Sequence, residues 1–219
     1  MPTSASVAAQ TAKTPTRRKE PASTGTRRAT VAKQTAVAKA KAIAPHVAAN
    51  LGSTPTTKFR GNPDVFGRLV EDHDRHRALL AMVGATTAKS PERKKLFKEL
   101  TLELKSHAAA EEQALWSSVM RNPSTTDHAR HAVAEHKEID EMLADLAARD
   151  MASPAWMRRF NALRDEYLHH IAEEEQEQFV AAEKQLSAGD LRYMKQVFNQ
   201  RKKAEKATTK VEKKIKLKG

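Results

Sequence analysis

The sequence repeats itself at an offset of 63 residues, and this repeat constrains the fold more than any other feature. Shifting the chain by that offset places His73 on His136 and His107 on His170. A glutamate four residues after His107 and after His170 is repeated as well, together with two Ser-Pro pairs and several Leu and Phe positions. Nine histidines in 219 residues make two chance matches at one offset improbable. The repeat therefore indicates an internally duplicated helical hairpin.

Apolar residues recur at three- and four-residue spacing over most of the second half of the chain, which predicts helices. We expect the first helix to begin with Asn62 as its N-cap and Pro63 at its first position. The helices are predicted over about 63–84, from 90 to about 121, over about 126–148, from 153 onward, and over about 188–205 for a shorter fifth helix. Short connections make neighbouring helices antiparallel. The predicted fold class is therefore all-α, an up-down-up-down four-helix bundle plus a short fifth helix.

Charge divides the chain into three segments. Residues 1–60 carry 11 basic and one acidic side chain, and residues 201–219 carry nine basic and two acidic ones. Residues 61–200, by contrast, carry 24 acidic and 19 basic side chains. The first segment is rich in Ala, Thr, Lys and Pro, and such a composition buries too little apolar area to fold. We therefore predict a disordered basic tail over 1–60, the bundle over 61–200 and a basic C-terminal tail over 201–219.

The repeated positions have the residue types and the spacing that a metal site needs. Positions i and i+4 lie on one face of a helix, so each repeated His-x3-Glu motif points both side chains in one direction. His73 and His136 lie in the middle of apolar stripes, and antiparallel packing brings these midpoints to one level of the core. The candidate metal ligands are His73, His107, Glu111, His136, His170 and Glu174.

An ordinary structural role competes with this interpretation. A lone histidine on an apolar stripe is more often a buried core residue than a ligand, and a single His-x3-Glu pair is more often a surface pair. Four helices that contribute such residues at one depth favour a metal instead, because unpaired charge in a bundle core is costly. Imidazole suits iron, zinc and copper while carboxylate suits harder ions, so the mixed set favours a pair of iron ions.

Other classes of site and location are excluded or disfavoured by composition. The absence of cysteine excludes disulfides, thiolate metal sites and cysteine nucleophiles. The longest apolar run, Ala78 to Ala85, is far shorter than the roughly 20 residues of a membrane span. The N-terminus lacks the apolar segment of a secretion signal, so we expect a cytoplasmic protein. Its Ser, Thr, Ala and Arg content leaves an organellar transit peptide as the alternative.

Four segments carry a resemblance to a known family. They read LVEDHDRHRALL at 69–80, HAAAEEQALW at 107–116, EHKEIDEML at 135–143 and HHIAEEEQEQF at 169–179. In this order they resemble the hemerythrin-like family, whose module is called the HHE cation-binding domain. The resemblance covers about residues 63–205. It implies a non-haem di-iron centre bridged by two carboxylates and an oxo or hydroxo group, with an open position for dioxygen or a related small ligand.

The sequence departs from the oxygen-carrying hemerythrins at three positions. Ala132 stands where those proteins have a further histidine ligand. Glu175 stands where they have an aspartate, although Glu174 is the residue that mirrors Glu111 in the repeat. His76 occupies the inward position that Ile139 has in the second half, as a spare ligand, a donor behind the ligands or a buried structural residue. These departures disfavour reversible oxygen transport.

Three functions remain open from the sequence. The leading hypothesis is a di-iron protein that binds or senses dioxygen, nitric oxide or peroxide. An iron-handling, ferroxidase or peroxidase-like enzyme at the same site is the first alternative. The second is a nucleic-acid-associated helical protein, since the basic tails suit sequence-independent contact with phosphates. No aromatic residues interleave with the basic ones, so base stacking is not expected.

Overall fold

The computed structural model describes residues 57–208, which form five helices and no strand. Helices α1 (Val65–Gly84), α3 (Thr126–Ala148) and α5 (Ala188–Thr208) are continuous. Helix α2 consists of Pro91–Glu111, one π-helical turn at Glu112–Trp116 and a last turn at Ser117–Val119. Helix α4 consists of Pro154–Glu173, a π-helical turn at Glu174–Gln178 and Phe179–Glu183. The predicted all-α class is confirmed.

The two Ser-Pro pairs start α2 and α4 as predicted. The hydroxyl of Ser90 accepts a hydrogen bond from the backbone N–H of Glu92 at 3.1 Å. The hydroxyl of Ser153 accepts one from the backbone N–H of Trp156 at 3.2 Å. Each serine thus satisfies a helix N–H that has no partner within the helix.

The start of α1 differs from the prediction. Asp64 is its N-cap, and a carboxylate oxygen of Asp64 accepts a hydrogen bond from the backbone N–H of Gly67 at 3.2 Å. The predicted cap, Asn62, packs its backbone against Gly67 instead, where an added Cβ would lie 2.0 Å from the Asn62 carbonyl oxygen. Only glycine permits this approach. Composition alone does not reveal such a contact between two backbone segments.

Helices α1 to α4 form the predicted bundle. Helix α1 packs against α2 and α4, and α3 packs against the same two helices, while α5 lies against α1 and α2. One apolar cluster includes Phe66, Trp116 and Phe179, and a second one includes Phe97 and Trp156. Each bundle helix runs from one cluster to the other, so the polar residues at its midpoint lie between two apolar layers.

Residues before 61 also pack on the bundle. Phe59, inside the predicted tail, is completely buried, and its ring lies 4.8 Å from that of Phe66 and 6.1 Å from that of Phe179 between centroids. The rest of that tail, residues 1–56, lies outside the described residues, as do residues 209–219 of the C-terminal tail. None of the helices within 57–208 combines the length and apolar character needed to cross a membrane.

Helix α5 ends at Thr208, close to the predicted end at about 205, and so runs into the segment 201–219 that was predicted as a basic tail. It has 21 residues, as many as the α-helical part of α2. Lys202 lies where the predicted helix and the predicted basic tail overlap. Its side chain is 5% exposed and its ammonium group pairs with Asp72 and, at 3.0 Å, with Glu103. Paired burial of this cation fixes the last part of α5 on the bundle.

Candidate metal centre

The six residues predicted as ligands come together in the layer between the two apolar clusters. All six are buried, and the most exposed of them is His136 at 6%. Helix α1 supplies His73, α3 supplies His136, and α2 and α4 supply the two His-x3-Glu pairs. The layer forms two histidine pairs, which we call half-site 1 (His73 and His107) and half-site 2 (His136 and His170).

The Nε2 atoms of half-site 1 face each other. The Nε2 atoms of His73 and His107 lie 3.2 Å apart. Glu174 places one carboxylate oxygen 3.3 Å from His73 Nε2, and Glu111 places one 3.3 Å from His107 Nε2. Three ligand atoms of His73, His107 and Glu174 lie within 4.8 Å of one another, the spacing of a metal site.

Half-site 2 is joined to half-site 1 through the same two carboxylates. The second oxygen of Glu174 lies 3.5 Å from His170 Nε2 and 4.0 Å from His136 Nε2. Glu111 lies 3.6 Å from His136 Nε2 through the oxygen that also faces His107. Both carboxylates therefore lie between the half-sites, in the position of bridging ligands.

The inward-facing atoms lack the partners that buried polar atoms need. Both carboxylate oxygens of Glu111 and of Glu174 are buried with no hydrogen-bond partner among residues 57–208, as are Nε2 of His136 and of His170. An unsatisfied buried polar group costs about 1–3 kcal/mol, and more if it is charged. Metal ions between the half-sites would coordinate all of these atoms, so the side chains present fit a two-metal centre.

The charges of the layer show the same need for cations. Burial and the neighbouring carboxylate of Glu111 raise the pKa of Glu174 to about 8. Burial also disfavours ionisation of Glu111, yet the neighbouring imidazoles of His107 and His136 hold its pKa well below the usual range. Burial lowers the pKa of His136, but contacts with Glu111 and Glu112 outweigh burial and raise this pKa to about 10. Two carboxylates this close cannot both stay ionised without a positive charge between them.

A carboxylate behind each histidine holds the other ring nitrogen. The Nδ1 atoms of the four histidines all lie within hydrogen-bond distance of a carboxylate oxygen: 3.2 Å for His107 to Asp72, 2.9 Å for His170 to Glu135, 2.9 Å for His73 to Glu175 and 3.0 Å for His136 to Glu112. The four pairs obey the 63-residue repeat. With the proton on Nδ1, each Nε2 presents its lone pair to the centre, as in metal-bound histidines.

The position of Glu175 bears on the choice that the sequence left open. One of its oxygens lies 2.9 Å from His73 Nδ1 and accepts a hydrogen bond from Arg77, also at 2.9 Å. Glu175 thus lies behind His73, and Glu174 faces the centre. The π-helical turn that begins at Glu174 was not predicted, since no sequence pattern marks such turns; they are rare and often lie at functional sites.

The two half-sites differ in the cations behind their carboxylates. Arg77 pairs with Glu175, and Arg68 and Lys202 pair with Asp72, all on the side of half-site 1. Among the described residues, no Lys or Arg pairs with Glu112 or Glu135 of half-site 2. These pairings were not predicted. Arg68 lies one turn before Asp72 on the same helix, whereas Arg77 and Lys202 reach carboxylates on other helices.

His76 joins a buried pair at the edge of the layer. Its Nδ1 lies 2.6 Å from the hydroxyl of Tyr167, and its ring lies edge-on to that of His107 with centroids 5.0 Å apart. Burial lowers the pKa of His76 well below the usual range and raises that of Tyr167, so both are neutral. Within 57–208, His76 belongs to none of the groups of His, Asp and Glu ligand atoms at metal spacing. His76 therefore lies behind the ligands.

A cavity of about 340 Å³ connects the layer with the surface between α2 and α3. Its lining includes the apolar side chains of Leu104 and Val133. It also includes His107, His136 and Tyr167, so it touches both half-sites. A small ligand can reach the centre by this route.

Other histidines within 57–208 lie outside the layer. His169 faces solvent, with a side chain 61% exposed. His131, to which sequence reasoning gave no role, has Nε2 at 3.0 Å from Glu173 and 3.4 Å from Glu135. The i to i+4 spacing of His131 and Glu135 was the signal that could have identified it. His46 lies outside the described residues.

The sequence profile of the hemerythrin HHE cation-binding domain matches residues 64–182, more than half of the chain. The chain belongs to the hemerythrin HHE family. It is thus a metal-binding hemerythrin-like protein, and the matched range contains all six residues of the layer. The resemblance that the four sequence segments suggested is confirmed.

A solved structure supports the fold of this HHE domain. The crystal structure of a hemerythrin HHE cation-binding domain-containing protein from Mycobacterium kansasii superposes with a TM-score of 0.61 at 22% sequence identity. The match covers 67% of this chain and 90% of that protein. No curated protein sequence matches the chain.

Proposed function

We propose that this HHE domain holds two iron ions and uses them to bind or sense dioxygen or a related small oxidant such as nitric oxide or peroxide. One observation carries the proposal: two buried carboxylates without hydrogen-bond partners among the described residues lie between two pairs of histidine Nε2 atoms. Such a centre offers four nitrogen and up to four oxygen ligand atoms, a mixed set that suits iron.

The roles of the side chains follow from their positions. Each half-site would supply two imidazoles to one ion, and Glu111 and Glu174 would bridge the ions. When bound, reduced iron supplies the electrons and the open position that dioxygen-type ligands require. The carboxylates at Nδ1 keep the rings oriented and make them better donors. The apolar layers on both sides exclude water from the centre.

Ala132 and the cavity support an open coordination position. The methyl group of Ala132 is buried where oxygen-carrying hemerythrins have a histidine, so half-site 2 has one ligand fewer than theirs. The cavity reaches His136 of the same half-site. An open position at the end of this cavity suits a small ligand.

Turnover of the ligand is the alternative function of the same centre. Tyr167 favours it, because its hydroxyl is neutral, lies on the cavity wall and can donate a hydrogen bond to a ligand there. The cytoplasm is the location we propose, and non-specific nucleic-acid contact remains a further proposal for the basic tails.

The proposal is tested by the visible spectrum of anaerobically reduced, iron-loaded protein before and after exposure to air. We expect a new absorption band on exposure to air. If the protein only binds oxygen, the band should disappear when oxygen is removed. If the protein turns oxygen over, the band should fade as oxygen is consumed. Val133→Phe should narrow the cavity and slow the change, whereas Val180→Phe, at a half-buried valine away from the cavity, should not. An unchanged spectrum in the iron-loaded protein would refute the proposal.

A further inference from the structure

A second group of potential metal ligands lies on the surface formed by α3 and α4. His131 and Glu135 are four residues apart on α3, and His169 and Glu173 are four residues apart on α4. His131 Nε2 lies 3.0 Å from Glu173 and 3.4 Å from Glu135, and His169 Nε2 lies 3.2 Å from the other oxygen of Glu173. Two imidazoles and two carboxylates thus converge from two rigid helices.

This outer cluster has the chemistry of a transition-metal site. Ligand atoms of His131, Glu135 and Glu173 lie within 4.8 Å of one another. Imidazole nitrogen favours Fe²⁺, Zn²⁺ or Co²⁺, since magnesium and calcium prefer sites made of oxygen alone. The side chains of His131 and His169 are 55% and 61% exposed, so an ion in solution can reach them.

One carboxylate connects the outer cluster to the buried centre. Glu135 faces His131 with one oxygen and lies 2.9 Å from His170 Nδ1 with the other. Glu135 is buried while its outer neighbours are not. An ion at the outer cluster would therefore be separated from half-site 2 by a single carboxylate and a single imidazole ring.

The repeat shows that this arrangement is specific to the second half of the domain. At the offset of 63 residues, Glu135 corresponds to Asp72 and His131 corresponds to Arg68. Asp72 pairs with Arg68 at 2.7 Å and also with Lys202, so cationic side chains occupy that face. The corresponding face of half-site 2 carries imidazoles, which bind a metal ion where Arg and Lys repel it.

We propose that His131, Glu135, His169 and Glu173 form an outer site for a divalent transition-metal ion, through which iron enters the buried centre at half-site 2. The existence of the outer site is independent of the proposed function, whereas its role in iron entry rests on it. The proposal predicts one weak metal equivalent beyond those of the buried centre.

The test compares full-length wild-type protein with His131→Ala/His169→Ala and with the control His128→Ala, a histidine on the same helix outside the cluster. Both cluster histidines are exposed, so the double variant should fold. Calorimetric titration of the metal-free protein with Co²⁺ should give one equivalent fewer in the double variant than in wild type and control. Equal stoichiometry in all three proteins would overturn the outer site.

The role in iron entry is tested by rapid mixing of metal-free protein with Fe²⁺ under anaerobic conditions. Uptake into the buried centre should be at least several-fold slower in the double variant, with the same final iron content as in wild type. An equal uptake rate would overturn the entry role even if the outer site binds Co²⁺. If the buried centre of the wild-type protein takes up no iron, the proposed function is refuted instead. The Co²⁺ count at the outer cluster does not depend on iron uptake by the buried centre, so the two failures can be distinguished.

Discussion

Replacing Lys202 by methionine tests whether α5 stabilises half-site 1. The ammonium group of Lys202 pairs with Asp72 and Glu103, and Asp72 lies 3.2 Å from Nδ1 of His107. Lys202→Met keeps most of the volume of the side chain and removes its charge. The carboxylates of Asp72 and Glu103 then lose the cation that they share. Asp72 is also held less firmly against Nδ1 of His107.

The expected magnitude follows from the remaining contacts. Removing one partner of a buried ion pair costs about 3–5 kcal/mol in the free energy of unfolding. Asp72 keeps Arg68 at 2.7 Å, and Glu103 keeps Lys206 at 2.5 Å, so the lower end of that range applies. For a domain of this size, about 3 kcal/mol corresponds to a decrease in Tm of roughly 6–12 °C.

The assay is chemical and thermal denaturation of metal-free protein, with Lys203→Met as the control because Lys203 is exposed on the same turn. Metal affinity should also decrease by about 10- to 100-fold, since Asp72 orients His107. A decrease in the free energy of unfolding below about 0.5 kcal/mol, equal to that of the control, would show that the buried pair does not contribute as argued.

Three further predictions concern the bridging glutamates, the first ordered residues and the tails. Glu111→Gln and Glu174→Gln should each lose most of the bound metal by elemental analysis, whereas Glu112→Gln should keep it with about a 10-fold loss of affinity, because Glu112 lies behind His136. Equal losses in all three variants would contradict the assignment. Removal of residues 1–56 should leave Tm and metal content unchanged, while Phe59→Ala should cost about 3–5 kcal/mol in denaturant unfolding; a truncated protein without near-ultraviolet circular dichroism would contradict this. Binding of the full-length protein to a labelled DNA duplex should weaken at least about 100-fold between about 50 and 200 mM salt, with no preference for sequence. Absence of binding at low salt would exclude nucleic-acid contact by the tails.

The sequence predicted which six side chains come together in the buried layer, because a repeat carries geometric information. The offset that aligns His73 with His136 also fixes their depth relative to the two His-x3-Glu pairs, and an antiparallel bundle places equal depths side by side. The same regularity predicted the starts of α2 and α4, where Ser90 and Ser153 cap the helices. Local patterns and the repeat were sufficient for these features.

Features that depend on a specific packing contact were not predictable in this way. The backbone of Asn62 approaches Gly67, which moves the N-cap of α1 to Asp64. Lys202 lies in a segment whose basic composition is that of a tail, and only the docking of α5 brings its side chain to Asp72. Both cases require the packed structure, because no periodicity in the sequence connects the two partners.

The metal content of the purified protein tests the central claim most directly. Full-length protein produced with iron available should contain about two irons per chain by elemental analysis, because the two half-sites share Glu111 and Glu174 as bridges. The variant Glu174→Gln, measured alongside, should contain much less. Zinc alone, or less than about half an equivalent of any metal in the wild-type protein, would contradict a di-iron centre.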